Sequence, residues 1–424
     1  MNSPYDAMWE KLGLDLSAHE NLLKVLGQAY GDIYLSQKGR LRGAEYLDFV
    51  LSEVHGLRIQ ELVQAKAQGR KIVGAFCVFV PEEIVLAAGG ILVGLCAGAE
   101  IGQEAAERVL PRNTCALIKS FMGFKLARLC PFFESCDLVV GETTCDGKKK
   151  AYEILGEHVP LYVMDLPQMK DPRDRELWRS EVLRFLGRIE QLTGRTVTPE
   201  RLADAIRTVN NRRRVLQRLD RLRAAIPTPI SGRDALLVNQ ISFYDDPVRF
   251  TAKIGELCDE LEQRVLKGEG VVPEGTPRLL LSGCPMAVPN WKLPFVLESS
   301  GAVVVAEESC IGTRNTRDLV SEDGLNLDEH IDRIVDRYLR IDCACFTPNT
   351  ERIEHVLEMA RALKVAGVVH YALQFCQPYA IESFKIERAL RDAGIPLLKI
   401  ETDYGMEDAE ILKNRVQAFV EMLR

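Results

Sequence analysis

Sulfur-bearing residues offer the clearest chemistry in this sequence, and Cys145 has the most informative surroundings. It follows a short apolar run, residues 138–140, that is typical of a buried strand, and it precedes a helical pattern that opens at Lys148. Asp146 and Gly147 supply turn chemistry between the two. A thiol between a strand end and the amino terminus of a helix lies in a positive field, which favours the thiolate. Because thiolates bind metal ions and attack as nucleophiles, Cys145 is a candidate for both roles.

The cellular compartment decides what the twelve cysteines can do. The amino-terminal residues show no basic region or apolar core of a secretory signal, and the longest apolar run, residues 84–99, is glycine-rich and short for a membrane span. We therefore expect a cytoplasmic protein, in which cysteines serve as buried thiols, catalysts or metal ligands rather than disulfides. No CxxC pair occurs, and the closest cysteines are Cys343 and Cys345. Any metal site must be assembled by the fold from distant cysteines.

Length and charge limit the class of protein further. A chain of 424 residues exceeds one ordinary hydrophobic core and predicts two or three domains. The formal net charge is −7, from 54 basic and 61 acidic residues that are well mixed, which does not favour a nucleic-acid or polyanion partner. The run Arg212, Arg213, Arg214 is interpreted as a solvated helix face.

Hydrophobic patterns divide the chain into four segments. Residues 1–70 are predicted as an N-terminal helical segment, 71–170 as a first α/β domain, 171–276 as a helical linker segment, and 277–424 as a second α/β domain. Strands alternate with helices in both α/β segments, which indicates parallel sheets. In the linker segment, helices are expected over residues 173–192, 199–222 and 247–266.

The two α/β segments resemble each other, which indicates an internal repeat. Each contains four apolar runs typical of buried strands, and cysteines recur at corresponding strand ends. The matched pairs are Cys77 with Cys284, Cys96 with Cys310, and Cys145 with Cys376. The predicted fold class is therefore α/β, with two doubly wound parallel-sheet domains related by an internal repeat and with N-terminal and central helical segments.

These strand-end cysteines fall where open parallel sheets bind their ligands, at the carboxyl edge of the sheet. Cys115 adds one more sulfur at a predicted helix start, with Asn113 or Thr114 as the cap. If the two domains face each other across a cleft, the sulfurs converge. Soft thiolates from several loops, without short ordered spacing, fit an iron–sulfur centre better than zinc.

Each cysteine also has a less specific interpretation, as a small buried core residue. That interpretation is preferred for Cys136 and Cys258, which have no counterpart in the repeat, and His370 is interpreted as a core histidine. The sequence contains no motif for nucleotide binding or for a serine nucleophile: it has no GxxxxGK[ST] phosphate loop, no GxGxxG and no GxSxG. If the reaction needs ATP or a nucleotide electron donor, another protein must supply it.

Four motifs resemble those of the 2-hydroxyacyl-CoA dehydratase and benzoyl-CoA reductase superfamily. They are GETTCDGKKK at 141–150, VPEEI at 80–84 with AAGG at 87–90, ESCIGTR at 308–314, and QFCQPY at 374–379. The resemblance spans about residues 70 to 424. Within it, the chain looks most like the double-cubane cluster proteins, and the features that favour this branch are Cys96, Cys130, Cys284 and the Cys343/Cys345 pair.

The resemblance implies an iron–sulfur cofactor. Family members that dehydrate hydroxyacyl-CoA hold one [4Fe-4S] cluster on three cysteines, and the matching positions are Cys115, Cys145 and Cys376. The double-cubane branch holds an [8Fe-9S] cluster on six cysteines. The preferred candidates for the other three share the strand-end position, and they are Cys77, Cys284 and Cys310. The reserves are Cys96, Cys343, Cys345 and Cys130, although one straight helix from Cys115 would put Cys130 about 22 Å away.

The resemblance also implies partners and a mechanism. A homodimeric ATPase with its own [4Fe-4S] cluster docks, hydrolyses ATP and delivers low-potential electrons. The chain itself is expected to form a homodimer and to reduce a small molecule such as acetylene, azide or hydrazine. One alternative is a subunit of a 2-hydroxyacyl-CoA dehydratase or aryl-CoA reductase with a single [4Fe-4S] cluster. A third possibility is an electron carrier, or a two-domain protein whose cysteines are merely buried.

Overall fold

The N-terminal part of the chain is helical, as predicted. The structure, a computed structural model, describes residues 3–95 and 98–424, so the reserve ligand Cys96 lies outside the described residues. The first helices are α1 (Asp6–Leu12), α2 (Leu16–Tyr30), which continues into a π-helical turn (Gly31–Leu35), α3 (Ala44–Ser52) and α4 (Leu57–Ala67). Their apolar faces pack into the same core as both halves of the molecule.

The first sheet has four parallel strands in the order β2-β1-β3-β4. Their bounds are β1 (Ile72–Ala75), β2 (Ile91–Gly94), β3 (Leu138–Glu142) and β4 (Leu161–Met164). The two central strands, β1 and β3, are buried along their whole length, which explains their almost continuous apolar sequence. The helices of this half are α5 (Glu82–Ala87), α6 (Gln103–Glu107), α7 (Ala116–Leu126), α8 (Pro131–Ser135) and α9 (Asp146–Leu155).

Four helices connect the two sheets. They are α10 (Pro172–Thr193), α11 (Pro199–Arg223), α12 (Gly232–Ile241) and α13 (Pro247–Leu266). The predicted helices over 173–192, 199–222 and 247–266 are confirmed, because α10, α11 and α13 each begin with proline after a capping side chain that accepts a backbone N–H. The sequence patterns did not predict α12, in which Ser231 is a cap rather than only a break.

The second sheet repeats the first, with four parallel strands in the order β6-β5-β7-β8. Its strands are β5 (Arg278–Gly283), β6 (Val303–Glu308), β7 (Gly367–Leu373) and β8 (Leu397–Thr402). Its helices are α14 (Lys292–Ser299), α15 (Thr313–Thr316), α16 (Leu327–Leu339), α17 (Thr350–Ala362), α18 (Gln377–Asp392) and α19 (Ala409–Met422). Equal strand orders confirm the predicted fold class, two parallel-sheet units related by an internal repeat. The predicted boundaries at 70, 170 and 276 stay a prediction.

The arginine run in α11 contradicts its interpretation as a solvated helix face. Arg212 and Arg213 are buried, and only Arg214 is exposed. Arg212 pairs with Glu82 and Arg213 with Glu83, both on α5 of the first half. Two successive helix positions can face inward here because α11 is packed on two sides, against α5 and α13. No helix in the described residues is long and apolar enough to cross a membrane.

Candidate metal centre

The carboxyl ends of the two sheets open onto one cavity of about 140 Å³. Its walls include the residues that follow β1, β3, β5, β6 and β7, which is the edge where parallel sheets bind ligands. Eight cysteines line it, and they are Cys77, Cys115, Cys145, Cys284, Cys310, Cys343, Cys345 and Cys376. The fold therefore gathers thiols from both halves around one space.

Four of these cysteines form what we call the first cysteine set: Cys115, Cys145, Cys284 and Cys376. The side chain of Cys376 lies close enough to those of Cys115 and Cys284 to interact with both. Cys145 interacts electrostatically with Cys115 and lines the same cavity. The trio suggested by the family resemblance is thus brought together, and Cys284 joins it from the end of β5.

Three members of the first cysteine set occupy equivalent places, each directly before a helix. Cys115 is the N-cap residue of α7, Cys145 that of α9, and Cys376 that of α18. Asn113 and Thr114, expected as caps, are not the N-cap, because α7 begins only at Ala116. Three helix amino termini next to these sulfurs place partial positive charge there, which would favour a bound anionic group.

Two unusual backbone conformations place sulfurs of this set. Gly283 has φ 133°, and a Cβ there would lie 1.9 Å from the carbonyl oxygen of Tyr371, so only glycine lets β5 and β7 approach closely before Cys284. Phe375 has φ 65° in front of Cys376, which costs about 1 kcal/mol for a residue with a Cβ. Strain of this kind persists where the surrounding structure requires it, often at functional sites.

The remaining four cysteines form the second cysteine set: Cys77, Cys310, Cys343 and Cys345. The side chain of Cys77 interacts with that of Cys310, and the side chain of Cys343 with that of Cys345. Cys310 interacts electrostatically with both Cys343 and Cys345, which links the two pairs. The reserve cysteines Cys343 and Cys345 therefore stand beside two of the six preferred candidates.

The other cysteines lie elsewhere. Cys130 lines a separate cavity of about 50 Å³ with Phe124 and Phe132, because α7 ends at Leu126 and the chain turns before α8. Cys258 is buried in α13, where its thiol donates to the carbonyl oxygen of Val215 at 3.8 Å. Cys136, Cys258 and His370, which were interpreted as core residues, are not among the residues that line the cavity. Cys258 and His370 are buried, and the half-buried Cys136 packs against the hydrophobic core.

Burial raises the pKa of the Cys145 thiol, even though the backbone N–H of Lys148 donates to its sulfur at 3.4 Å. The helix terminus alone therefore does not produce the predicted thiolate. In the second set, the hydrogen bond from Cys345 lowers the pKa of Cys343 to about 6, and contact with Cys77 lowers the pKa of Cys310. Buried thiolates need a compensating cation, which a bound metal provides.

The sequence did not predict that charged side chains surround the cavity. Lys148 lines it and pairs with Glu142, which is fully buried and also accepts from the Tyr152 hydroxyl at 3.3 Å. Arg212 binds Glu82 on another wall, with Nη1 3.0 Å from Oε1. Glu142 and Lys148 lie in the motif at 141–150 and Glu82 in the motif at 80–84, but the motifs alone assign no pairing to these charges.

The sulfurs that line the cavity have the donor chemistry of iron–sulfur cluster ligands. Within residues 3–95 and 98–424, no three His, Cys, Asp or Glu side chains come together as ligands of one metal ion. In a cubane, by contrast, each cysteine binds a different iron, so the sulfurs surround the cluster from several sides. Eight thiols that line one cavity are compatible with such a distribution.

Comparisons with known proteins agree with this structure. A family model described as 2-hydroxyglutaryl-CoA dehydratase, D-component, matches residues 77–423. YjiM of Escherichia coli (strain K12), provisionally named a dehydratase subunit, is 39% identical over 375 residues, which cover 88% of this chain and 96% of YjiM. The beta subunit of (R)-phenyllactyl-CoA dehydratase from Clostridium sporogenes is 24% identical over 366 residues, which cover 84% and 92%. One of the subunits of benzoyl-CoA reductase from Thauera aromatica is 20% identical over 364 residues, which cover 84% and 91%.

The fold and the cavity define a class of α/β proteins in which two parallel sheets gather thiols between them. The chain belongs to the 2-hydroxyacyl-CoA dehydratase and benzoyl-CoA reductase superfamily, as its motifs indicated. Its relatives are named as subunits of dehydratases and reductases, which supports an enzymatic role.

Proposed function

We propose that this protein is an iron–sulfur reductase component that reduces a small molecule at a double-cubane [8Fe-9S] cluster. The observation that carries the proposal is the presence of two cysteine sets around one cavity. A [4Fe-4S] cubane takes up to four cysteines, and the first cysteine set alone supplies four. The second cysteine set would have no iron to bind in a protein with one cubane, whereas two joined cubanes use thiols from both sets.

Six cysteines are the preferred ligands. The first set contributes Cys115, Cys145, Cys284 and Cys376, and the second set contributes Cys77 and Cys310. Cys343 and Cys345, the other two members of the second set, interact with Cys310 and are alternative ligands there. The bound cluster would supply low-potential electrons one at a time. The chain's contribution is to hold the thiolates, exclude water and tune the potential, because buried apolar walls disfavour added negative charge.

The names of the relatives favour a second candidate function, that of a dehydratase or aryl-CoA reductase subunit with a single [4Fe-4S] cluster. In that case the first cysteine set holds the cluster and the second set is only buried. The two candidates differ in metal content more than in fold.

Iron and sulfide analysis after anaerobic purification distinguishes the two candidates. We expect about eight iron atoms per chain, because both cysteine sets bind iron in the double-cubane protein. About four iron atoms per chain would support the single-cluster subunit, and a colourless, iron-free protein would contradict both.

Sedimentation of the same sample tests the proposed homodimer, which requires twice the mass of one chain.

ATP alone is expected to change nothing in the isolated protein, since the sequence contains no GxxxxGK[ST] phosphate loop. We propose that an ATP-dependent [4Fe-4S] activator protein supplies both the hydrolysis and the electrons. The measurement is phosphate release and azide reduction with and without such a partner. ATP hydrolysis by the purified chain alone would contradict this division of labour.

We also propose that the protein is located in the cytoplasm, and cell fractionation tests this location.

A further inference from the structure

We propose that Arg314 and Tyr379 make the second-set side of the cluster the easier side to reduce, so that the first added electron rests there. This inference rests on the proposed function, because it needs iron bound at both cysteine sets. Both residues act as positioning residues that hydrogen-bond to sulfurs of the second cysteine set. The evidence is a difference in the hydrogen bonds that the two sets receive.

Arg314 is buried beside the second set, and the two edges of its guanidinium bind different partners. The Nε and Nη2 edge binds Glu308, with Nη2 2.6 Å from Oε1. The remaining nitrogen, Nη1, faces the sulfur of Cys310 at 3.4 Å and also donates to the Tyr379 hydroxyl. The carboxylate therefore binds the edge away from the sulfur, and the positive charge is held toward Cys310.

Tyr379 extends this contact to a second sulfur. Its hydroxyl oxygen must accept from Arg314, because a guanidinium has no acceptor atom. The hydroxyl proton is then available to Cys343, whose sulfur lies 3.9 Å away. One Arg–Tyr pair thus reaches two members of the second set.

The arrangement is fixed by the surrounding structure. Glu308 also accepts from Arg352 at 3.0 Å and from the Ser282 hydroxyl at 2.6 Å. The guanidiniums of Arg314 and Arg352 lie over the ring of Tyr379, 5.4 Å and 5.0 Å from its centroid. Rearranging the Arg–Tyr pair would break several buried bonds at once, so it stays in place when the charge of its neighbour changes.

The first cysteine set receives a different kind of hydrogen bond. Backbone N–H groups donate to its sulfurs, from Lys148 to Cys145 at 3.4 Å and from Leu373 to Cys284 at 3.3 Å. Backbone donors carry partial charges, whereas a guanidinium carries a full one, and hydrogen bonds from ions are the stronger kind. Hydrogen bonds to cluster sulfurs help to set the reduction potential.

The consequence is a difference in potential between the two sides. An added electron makes the cluster one charge more negative, and a fixed cation within hydrogen-bonding distance of a ligand sulfur stabilises that charge. The step transfers one electron from a low-potential reductant to iron, breaks no bond and needs no proton, because Arg314 is already charged. The electron is therefore expected on the second-set side first.

The test compares two variants with a matched control in the anaerobically purified holoprotein. Tyr379→Phe removes the hydroxyl and keeps the ring on which both arginines stack, while Arg314→Gln removes the charge. The control is Tyr371→Phe, a buried tyrosine near the first set whose hydroxyl accepts from Asn290 at 2.9 Å. Iron content and the midpoint potential of the first reduction are measured, the latter by titration with a low-potential reductant followed by electron paramagnetic resonance.

We expect the first midpoint potential to become more negative in Tyr379→Phe and in Arg314→Gln, with iron content unchanged in Tyr379→Phe. Tyr371→Phe should leave this potential at the wild-type value. If Arg314→Gln does not fold, Tyr379→Phe alone decides. An unshifted potential in Tyr379→Phe with about eight irons per chain, or a shift in the control alone, overturns the inference. About four irons in the wild-type protein would instead show that the proposed function has failed.

Discussion

Replacement of Cys145 by alanine is expected to remove bound iron and reductase activity together. Cys145 stands at the N-cap of α9 in the first cysteine set, and its sulfur lies in the cavity where Cys115 and Cys376 meet. In the proposed cluster, an alanine would leave one iron without its thiolate, and no other cysteine of the first set could replace it, because the other three are themselves proposed ligands. A cluster that lacks one ligand dissociates and oxidises more readily, so we expect Cys145→Ala to hold less than half of the iron of the wild-type protein.

The matched control is Cys258→Ala, which removes a buried thiol from α13, outside the cavity. Its iron content and activity should equal those of the wild type, at a stability cost of about 1 kcal/mol for the small cavity left behind. Iron and sulfide are measured per folded chain after anaerobic purification, with circular dichroism to confirm the fold. Full iron content in Cys145→Ala would show that Cys145 is not a ligand.

The strand-end cysteines could be predicted because two rules agree on them. Buried parallel strands are continuous apolar runs, so the ends of β1, β3, β5 and β7 are visible in the sequence. Ligands bind at the carboxyl edge of such sheets, which selects the cysteine just after each run. The structure brings those residues to one cavity, and they include Cys77, Cys145, Cys284 and Cys376.

Cys343 and Cys345 follow neither rule. They lie in the loop after α16, where Asp342 holds the chain by binding Lys170 at 3.4 Å and Arg317 at 2.7 Å. Lys170 comes from the loop after β4, at a separation of 172 residues, so this contact exists only once the two halves have packed. Sequence spacing carries no information about such a contact, and for that reason the pair could be named only as a reserve.

The arginine run of α11 shows how a general rule fails at a particular place. Successive like charges usually lie on solvated surface, and the side chain of Arg214 is indeed exposed, where it pairs with Glu322. The side chains of Arg212 and Arg213 are buried instead, because each pairs with a carboxylate of α5 that lies 130 residues away in the sequence. In the sequence, Glu82 and Glu83 are visible only as part of the motif at 80–84, and their partners were set by the packing of α5 on α11.

Substitution of Glu83 by leucine is therefore expected to destabilise the protein by about 3–5 kcal/mol. Glu83 is fully buried, accepts from Arg213 at 2.7 Å and from the Tyr338 hydroxyl at 2.8 Å, and so joins α5 to α11 and α16. The substitution leaves the Arg213 guanidinium buried without its carboxylate, and desolvation of that charge is no longer compensated. Thermal unfolding measures the loss as a fall in the apparent midpoint.

The double variant Glu83→Leu with Arg213→Met distinguishes the cost of an unpaired charge from the cost of altered packing. Removing both charges should recover most of the stability that Glu83→Leu loses, because replacing a buried pair by apolar residues of similar volume is often neutral. Arg214→Met, at the exposed neighbour, should change stability by less than about 0.5 kcal/mol. A double variant as unstable as Glu83→Leu would mean that packing, rather than the buried charge, dominates at this junction.

The same pair gives the stability a pH dependence with a definite sign. Burial alone would raise the pKa of Glu83, but Arg213 and Arg337 lower it overall, so the carboxyl binds its proton less readily in the folded than in the unfolded chain. Its contribution is therefore present above the unfolded pKa and is lost as pH falls through the folded value. Wild-type protein should lose stability on acidification relative to the double variant, in which this titration is absent. Parallel acid dependence in the two proteins would show that Glu83 does not govern it.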